Sequence, residues 1–143
     1  LALALCQAGR ADEALILLDQ VDRSHPYAAA IQALASAMLG DASSALGSAA
    51  VVGDAAAATY LDRVIAAVAA AAADVSLGNT DGATERIEAA GVTAAEAGDV
   101  VTRALVRAAQ QVLLEGLATF DIDHLGSGWR RVVQTLADSA RSE

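Results

Sequence analysis

Hydrophobic positions recur three and four residues apart along almost the whole chain, which is the period of an amphipathic helix. In the segment 60–77, for example, Leu61, Ile65 and Val68 fall on one helical face. No stretch shows the strict alternation of a half-buried strand, and the only proline is Pro26. The pattern therefore predicts an all-α chain of about seven or eight helices.

Short breaks that contain glycine separate these predicted helices. Glycine ends a helix well because it adopts the left-handed conformation at low cost, and a following Asp or Asn can cap the next helix. We expect Asp41 and Asp54 to be such caps. Connections of about two to four residues make neighbouring helices antiparallel, so the breaks predict stacked helical hairpins, as in an α-solenoid. The five dipeptides are Gly9-Arg10, Gly40-Asp41, Gly53-Asp54, Gly78-Asn79 and Gly98-Asp99.

The same pattern predicts the approximate bounds of each helix and the positions that face the core. The expected helices cover about 1–8, 11–22, 27–39, 42–52, 55–77, 82–97 and 100–116, and a last helix follows Ser127. The expected core stripes are Leu1, Leu5 and Ala8; Ala14, Leu15, Leu18 and Val21; Val101, Leu105, Ala108 and Val112; and Trp129, Val132, Val133 and Leu136.

The opening segment 1–26 resembles a tetratricopeptide repeat (TPR). Leu1, Ala2 and Leu5 match the large-small-large positions of the first helix of that repeat, and Gly9 matches its turn. The second helix matches at its small, large and further core positions, and the segment ends on the closing proline; these residues are Ala14, Leu18, Val21 and Pro26. The resemblance is weaker after Pro26. It implies a TPR-like α-solenoid over a single domain, residues 1–143.

In TPR proteins the first helices of successive repeats line a groove that binds a peptide or helix. The resemblance implies that the groove-facing residues here are Leu3, Cys6, Gln7, Leu34 and Met38. These side chains are mostly apolar and the chain has no lysine, so the carboxylate clamp of some family members is absent and an amphipathic partner helix fits better. The alternative is that these residues pack internally against a helix that precedes Leu1.

Composition narrows the class of partner and the location. The chain of 143 residues carries 18 acidic residues against 9 arginines, a net charge of −9, so nucleic acid is not expected as a partner. The longest apolar run, 64–73, is too short to span a bilayer, and the single Cys6 forms no internal disulfide. We expect a cytoplasmic protein. Because the chain opens on Leu1 within a helical pattern, we expect it to be the C-terminal part of a longer protein, with an upstream signal or anchor left open.

No catalytic or cofactor-binding constellation stands out. Residues 121–124 offer metal-ligand types but are too crowded to converge on one ion, and residues 77–88 match a calcium loop only in part because Leu77 occupies its first position. A turn histidine, His25, is expected to be solvated. Arginines that could form a cationic patch are more simply interpreted as a solvated face; they are Arg103, Arg107, Arg130 and Arg131.

The sequence therefore predicts a non-catalytic protein-interaction or assembly module that needs no cofactor or metal. Its partner would be a protein, a peptide, or another part of the same polypeptide. The alternative is a regulatory or sensor module fused to an upstream transcription-factor, kinase or membrane-anchor domain.

Overall fold

The computed structural model describes residues 1–21, 25–117, 122 and 125–141, and within these residues it contains α-helices and no strand. The all-α prediction and the expected number of helices are confirmed. A π-helical turn, Gln110–Leu114, continues the seventh helix. The helices are α1 (Ala2–Gln7), α2 (Ala11–Leu18), α3 (Pro26–Met38), α4 (Ala42–Asp54), α5 (Tyr60–Ser76), α6 (Thr80–Ala97), α7 (Val100–Ala109) and α8 (Ser127–Arg141).

Four of the five predicted glycine breaks occur as expected. Gly9, Gly40, Gly78 and Gly98 have φ of 79°, 82°, 80° and 70°, the left-handed conformation that ends a helix. The next helix is then capped by a side chain in three cases. Asp41 accepts from the backbone N–H of Ser44, Asn79 from that of Gly82, and Asp99 from those of Val101 and Thr102.

The fifth predicted break, Gly53-Asp54, is wrong. Both residues belong to the last turn of α4, and α5 begins only at Tyr60. Its cap is Thr59, whose Oγ1 accepts from the N–H of Asp62 at 3.2 Å while the Asp62 carboxylate accepts from the N–H of Thr59 at 3.0 Å. This reciprocal capping box satisfies two backbone donors at the start of α5.

Some predicted core positions are also wrong. Val21 is 44% exposed because α2 ends at Leu18, four residues earlier than expected, so the helical period does not extend to it. In α7, Val101 is exposed and Thr102 is buried instead, where its hydroxyl donates to the carbonyl of Asp99. In α1 the buried positions are Ala2 and Cys6 rather than Leu1 and Ala8.

Helix α5 is the centre of the fold. It contacts α3, α4, α6, α7 and α8, and nearly every position between 62 and 74 is buried. Alanine occupies most of these positions, so the neighbouring helices can approach closely on several sides. A helix predicted to bury one face is thus buried almost all round.

Helix α8 folds back onto the beginning of the chain. Among the described residues, α8 contacts α1, α3, α5, α7 and the π-helical turn that follows α7. It contacts none of the even-numbered helices. Three of its side chains donate hydrogen bonds to backbone carbonyls of α1, α3 and the π-helical turn. Arg131 bonds Gln7 at 3.3 Å, Ser139 bonds Met38 at 2.6 Å and Arg141 bonds Val112 at 2.9 Å. Helix α8 therefore covers one side of the four odd-numbered helices.

Candidate interaction surface

The five predicted partner-binding residues do not form an open surface in this structure. Cys6, Leu34 and Met38 are buried, and Leu3 and Gln7 are half-buried. They lie on α1 and α3, both of which contact α8. A partner could reach Leu34 or Met38 only if the surrounding helices separated, so binding at these residues stays a prediction.

The burial of these residues needs no helix before Leu1. The Ser139 hydroxyl of α8 donates a hydrogen bond to the carbonyl of Met38. The first turn of α8 packs against the end of α1. A Cβ added at Gly128 would lie 2.8 Å from the Gln7 Cβ, so glycine is required for this approach. The internal-packing alternative thus describes these positions, with the covering helix supplied by the C-terminal part of the chain.

The side of α1 that was expected to be packed is instead open, together with a part of α2 that was not expected in the core. Leu1 is 83% exposed and Ile16 is 66% exposed, while Leu5 and Leu17 are half-buried beside them. These four side chains, which we call the open edge, line a cleft of about 340 Å³. It is the reverse of the expected arrangement, because the local pattern does not show which side of α1 the returning α8 covers.

An ion pair borders the open edge. Arg10 donates to Glu13 through Nε and also through Nη2, the latter at 2.8 Å. The hydrogen bond from Arg10 lowers the pKa of Glu13. Both side chains are exposed, and they form a charged rim beside the apolar open edge. They do not cover Leu1, which stays exposed to solvent. Apolar side chains inside a polar rim are typical of protein-interaction surfaces.

A second cleft, which sequence reasoning missed, lies between α4 and α6 over α5. Its volume is about 260 Å³, and its lining is mostly alanine with two arginines, Arg63 and Arg86. Arg63 donates from Nη2 to the carbonyl of Ala55 at 3.0 Å, and Arg86 donates from Nε to the Asp74 carboxylate at 2.7 Å. The two arginines are 23 positions apart and on different helices, so no local motif joins them.

The groups with shifted pKa values have structural explanations. Burial raises the pKa of the Cys6 thiol to about 11, which suppresses the reactive thiolate. Tyr60 donates to Asp99 at 2.8 Å, and this bond lowers the pKa of Asp99 and raises that of Tyr60. Because Asp99 also caps α7, the pair joins the starts of α5 and α7.

The described residues contain no group of three His, Cys, Asp or Glu side chains placed to hold a metal ion. In the partial calcium template, Asn79 caps α6 and Glu85 and Glu88 are exposed on that helix. Asp121, Asp123 and His124 lie outside the described residues. Within the described part of the chain, no helix combines the length and apolarity needed to cross a bilayer.

The four arginines considered for a cationic patch have different environments in the fold. Arg103 and Arg107 are exposed on α7. Arg130, by contrast, donates to the carbonyls of Leu125 and Ile122, each at 3.1 Å, and so holds the segment before α8. Trp129 is half-buried against the core.

Comparison of the chain with protein-family models, with curated proteins and with solved structures found no match.

Proposed function

We propose that this chain is a TPR-like, non-catalytic protein-interaction module that binds a partner through its open edge. The observation that carries the proposal is the exposure of Leu1 and Ile16 on the one side of α1 and α2 that no other described helix covers. The partner would lay an amphipathic helix on this edge, since an apolar helical groove with a charged rim suits that mode of recognition.

The order of helix contacts supports the TPR-like part of the proposal. Consecutive helices contact each other at α1 with α2, α3 with α4 and α5 with α6, and the first members of these hairpins also contact in series. The joining segments between hairpin partners are short, for example residues 39–41 and 77–79. In such a stack each hairpin buries apolar surface against its neighbours, so a side that no described helix covers is open to a partner.

The non-catalytic part of the proposal rests on the chemistry of the described side chains. Catalytic groups are commonly recognised by a polar pocket with acids or nucleophiles whose pKa values are shifted toward the working pH. Here the pKa of the Cys6 thiol is shifted away from the working pH. The Tyr60–Asp99 pair contributes to a helix cap. The two clefts described above are lined mainly by aliphatic side chains, with exposed or paired charges at their margins.

The test uses two matched surface substitutions. Ile16→Arg places a charge in the open edge, and Val92→Arg places the same charge on α6, where Val92 is 60% exposed. Because both positions are exposed, the free energy of unfolding of each variant should stay within about 0.5 kcal/mol of that of the original chain. Cross-linking and mass spectrometry in an extract of the source cells then identify the bound protein, and analytical ultracentrifugation detects a second copy of the chain.

The expected result is one specific complex that forms with the original chain and with Val92→Arg but weakens at least tenfold with Ile16→Arg. The proposal fails if every complex survives Ile16→Arg, or if both variants lose the same complexes. A complex that depends on Ile16 should also protect the amides of α2 from hydrogen exchange.

A further inference from the structure

We propose that the cleft between α4 and α6 is a second binding site, which takes an acidic peptide segment from another protein. It lies over the central helix α5 and shares no lining residue with the open edge. The inference does not depend on the function proposed for that edge.

The charge of the cleft is opposite to that of the chain. The protein carries 18 acidic residues against 9 arginines, yet the described residues that line this cleft include two arginines and no carboxylate. The nearest ionic partner, Asp74, is buried and faces Arg86 from α5. A cationic cleft in an acidic protein attracts a negatively charged ligand and disfavours binding of a positively charged one.

Both arginines keep donors for a ligand. A guanidinium group has five N–H donors, and the hydrogen bonds described above occupy one on Arg63 Nη2 and one on Arg86 Nε. The side chain of Arg86 is 43% exposed in its pair with Asp74. The Nη groups of Arg86 are therefore free to form the paired hydrogen bonds that arginine makes with a carboxylate.

The shape of the cleft favours a peptide over a small molecule. Its volume of about 260 Å³ is below the roughly 300–1,000 Å³ of pockets that enclose small ligands. On α6 the lining runs from Arg86 to Thr93, seven positions and about 10 Å at the rise of an α-helix. A peptide can span this length, with carboxylates at both ends and small side chains over the alanine floor.

The probe is a fluorescein-labelled, alanine-rich helical peptide of about 16 residues with glutamates seven residues apart, and its control has glutamine at the same positions. We expect fluorescence anisotropy to show binding of the acidic peptide at least tenfold tighter than that of the glutamine peptide. Amide NMR shifts should concentrate at 49–53, 66–67 and 89–93, the segments that line the cleft.

The matched variants are Arg63→Gln and Arg103→Gln, which remove the same charge inside the cleft and on the exposed face of α7. Arg63→Gln leaves the Asp74–Arg86 pair intact, so it tests the cleft without unpairing a buried carboxylate. Arg63→Gln should lower the affinity for the acidic peptide at least fivefold. Arg103→Gln and Ile16→Arg should change this affinity less than twofold.

Equal binding of the two peptides, or equal losses in Arg63→Gln and Arg103→Gln, would overturn the proposal. So would NMR shifts confined to residues outside the cleft. Loss of binding in Ile16→Arg alone would instead place the acidic peptide on the open edge.

Discussion

At the scale of single residues, polar side chains inside the fold are matched to local partners. The buried polar residues are Ser36, Asp62, Asp74 and Thr102. Asp62 completes the cap of α5, Asp74 accepts from Arg86, and Thr102 donates to the carbonyl of Asp99. No buried side-chain nitrogen or oxygen in the described residues lacks a hydrogen bond. The sequence does not reveal that Asp74 is buried, because Arg86 approaches it from the next helix.

The Cys6 thiol gives a pH-dependent test of the packing around α1. Its pKa of about 11 in the folded chain exceeds the unfolded value of about 8.5, so the unfolded chain loses the proton first as pH rises. This group has no effect on stability well below pH 8.5, and its destabilising effect grows as pH rises toward 11. From pH 7 to pH 9 it should lower the free energy of unfolding by about 0.8 kcal/mol.

Urea denaturation of the original chain and of Cys6→Ala at both pH values measures this effect. The difference in stability between the two proteins should shift by that amount between pH 7 and pH 9, because Cys6→Ala removes only this titration. A constant difference would show that the thiol is not held in an apolar environment. In the folded chain at pH 8, Cys6 should also react with thiol reagents at least a hundredfold more slowly than in urea.

At the scale of elements, identical dipeptides have opposite structural roles. Gly53-Asp54 lies within the last turn of α4, whereas Gly98-Asp99 ends α6 with φ of +70° at Gly98 and caps α7. The dipeptide alone therefore cannot separate the two cases. What decides the break before α5 is the capping box five residues later, in which Thr59 and Asp62 satisfy each other's backbone donors.

Alanine substitutions at these two glycines should change stability in opposite directions. A Cβ at either position would meet no atom within 4 Å, so only the backbone conformation matters. Gly98→Ala should cost about 1 kcal/mol because an L-residue is strained in the left-handed region. Gly53→Ala should stabilise the chain by about 0.5 kcal/mol because glycine disfavours a helix.

Thermal denaturation of the two variants checks this pair of predictions. A gain from Gly98→Ala would contradict the left-handed helix end, and a loss of 1 kcal/mol or more from Gly53→Ala would contradict the extension of α4 through Asp54.

At the scale of the whole molecule, the return of α8 is the feature that the sequence did not predict. Periodicity located the helix and its buried face, which includes Val132, Val133 and Leu136. It could not identify the surface that this face covers, since contacts such as that of Ser139 with Met38 join residues 101 positions apart. Without these contacts the TPR resemblance placed Leu34 and Met38 in a groove for a partner, and the local pattern placed Leu1 and Leu5 in the interior.

Removing one buried side chain from α8 should loosen α1 selectively. Leu136 on α8 and Leu105 on α7 are both 1% exposed, so Leu136→Ala and Leu105→Ala should each cost about 2–4 kcal/mol. Of these two helices, only α8 contacts α1 directly. In hydrogen exchange, the segment 1–10 should therefore lose more protection in Leu136→Ala than in Leu105→Ala. Equal loss in the two variants would mean that α1 opens only when the whole domain unfolds.

The contact between Arg131 and the carbonyl of Gln7 joins residues 124 positions apart, which has a consequence for the order of synthesis. A ribosome that adds about 5–20 residues per second makes α8 about 6–25 s after α1. During that interval the six-residue α1 lacks the helix that covers it, and so short a helix is marginal by itself. Of the eight described helices, α1 is therefore made first but is among the last to become stable, and a nascent chain that stops before α8 leaves α1 without this cover.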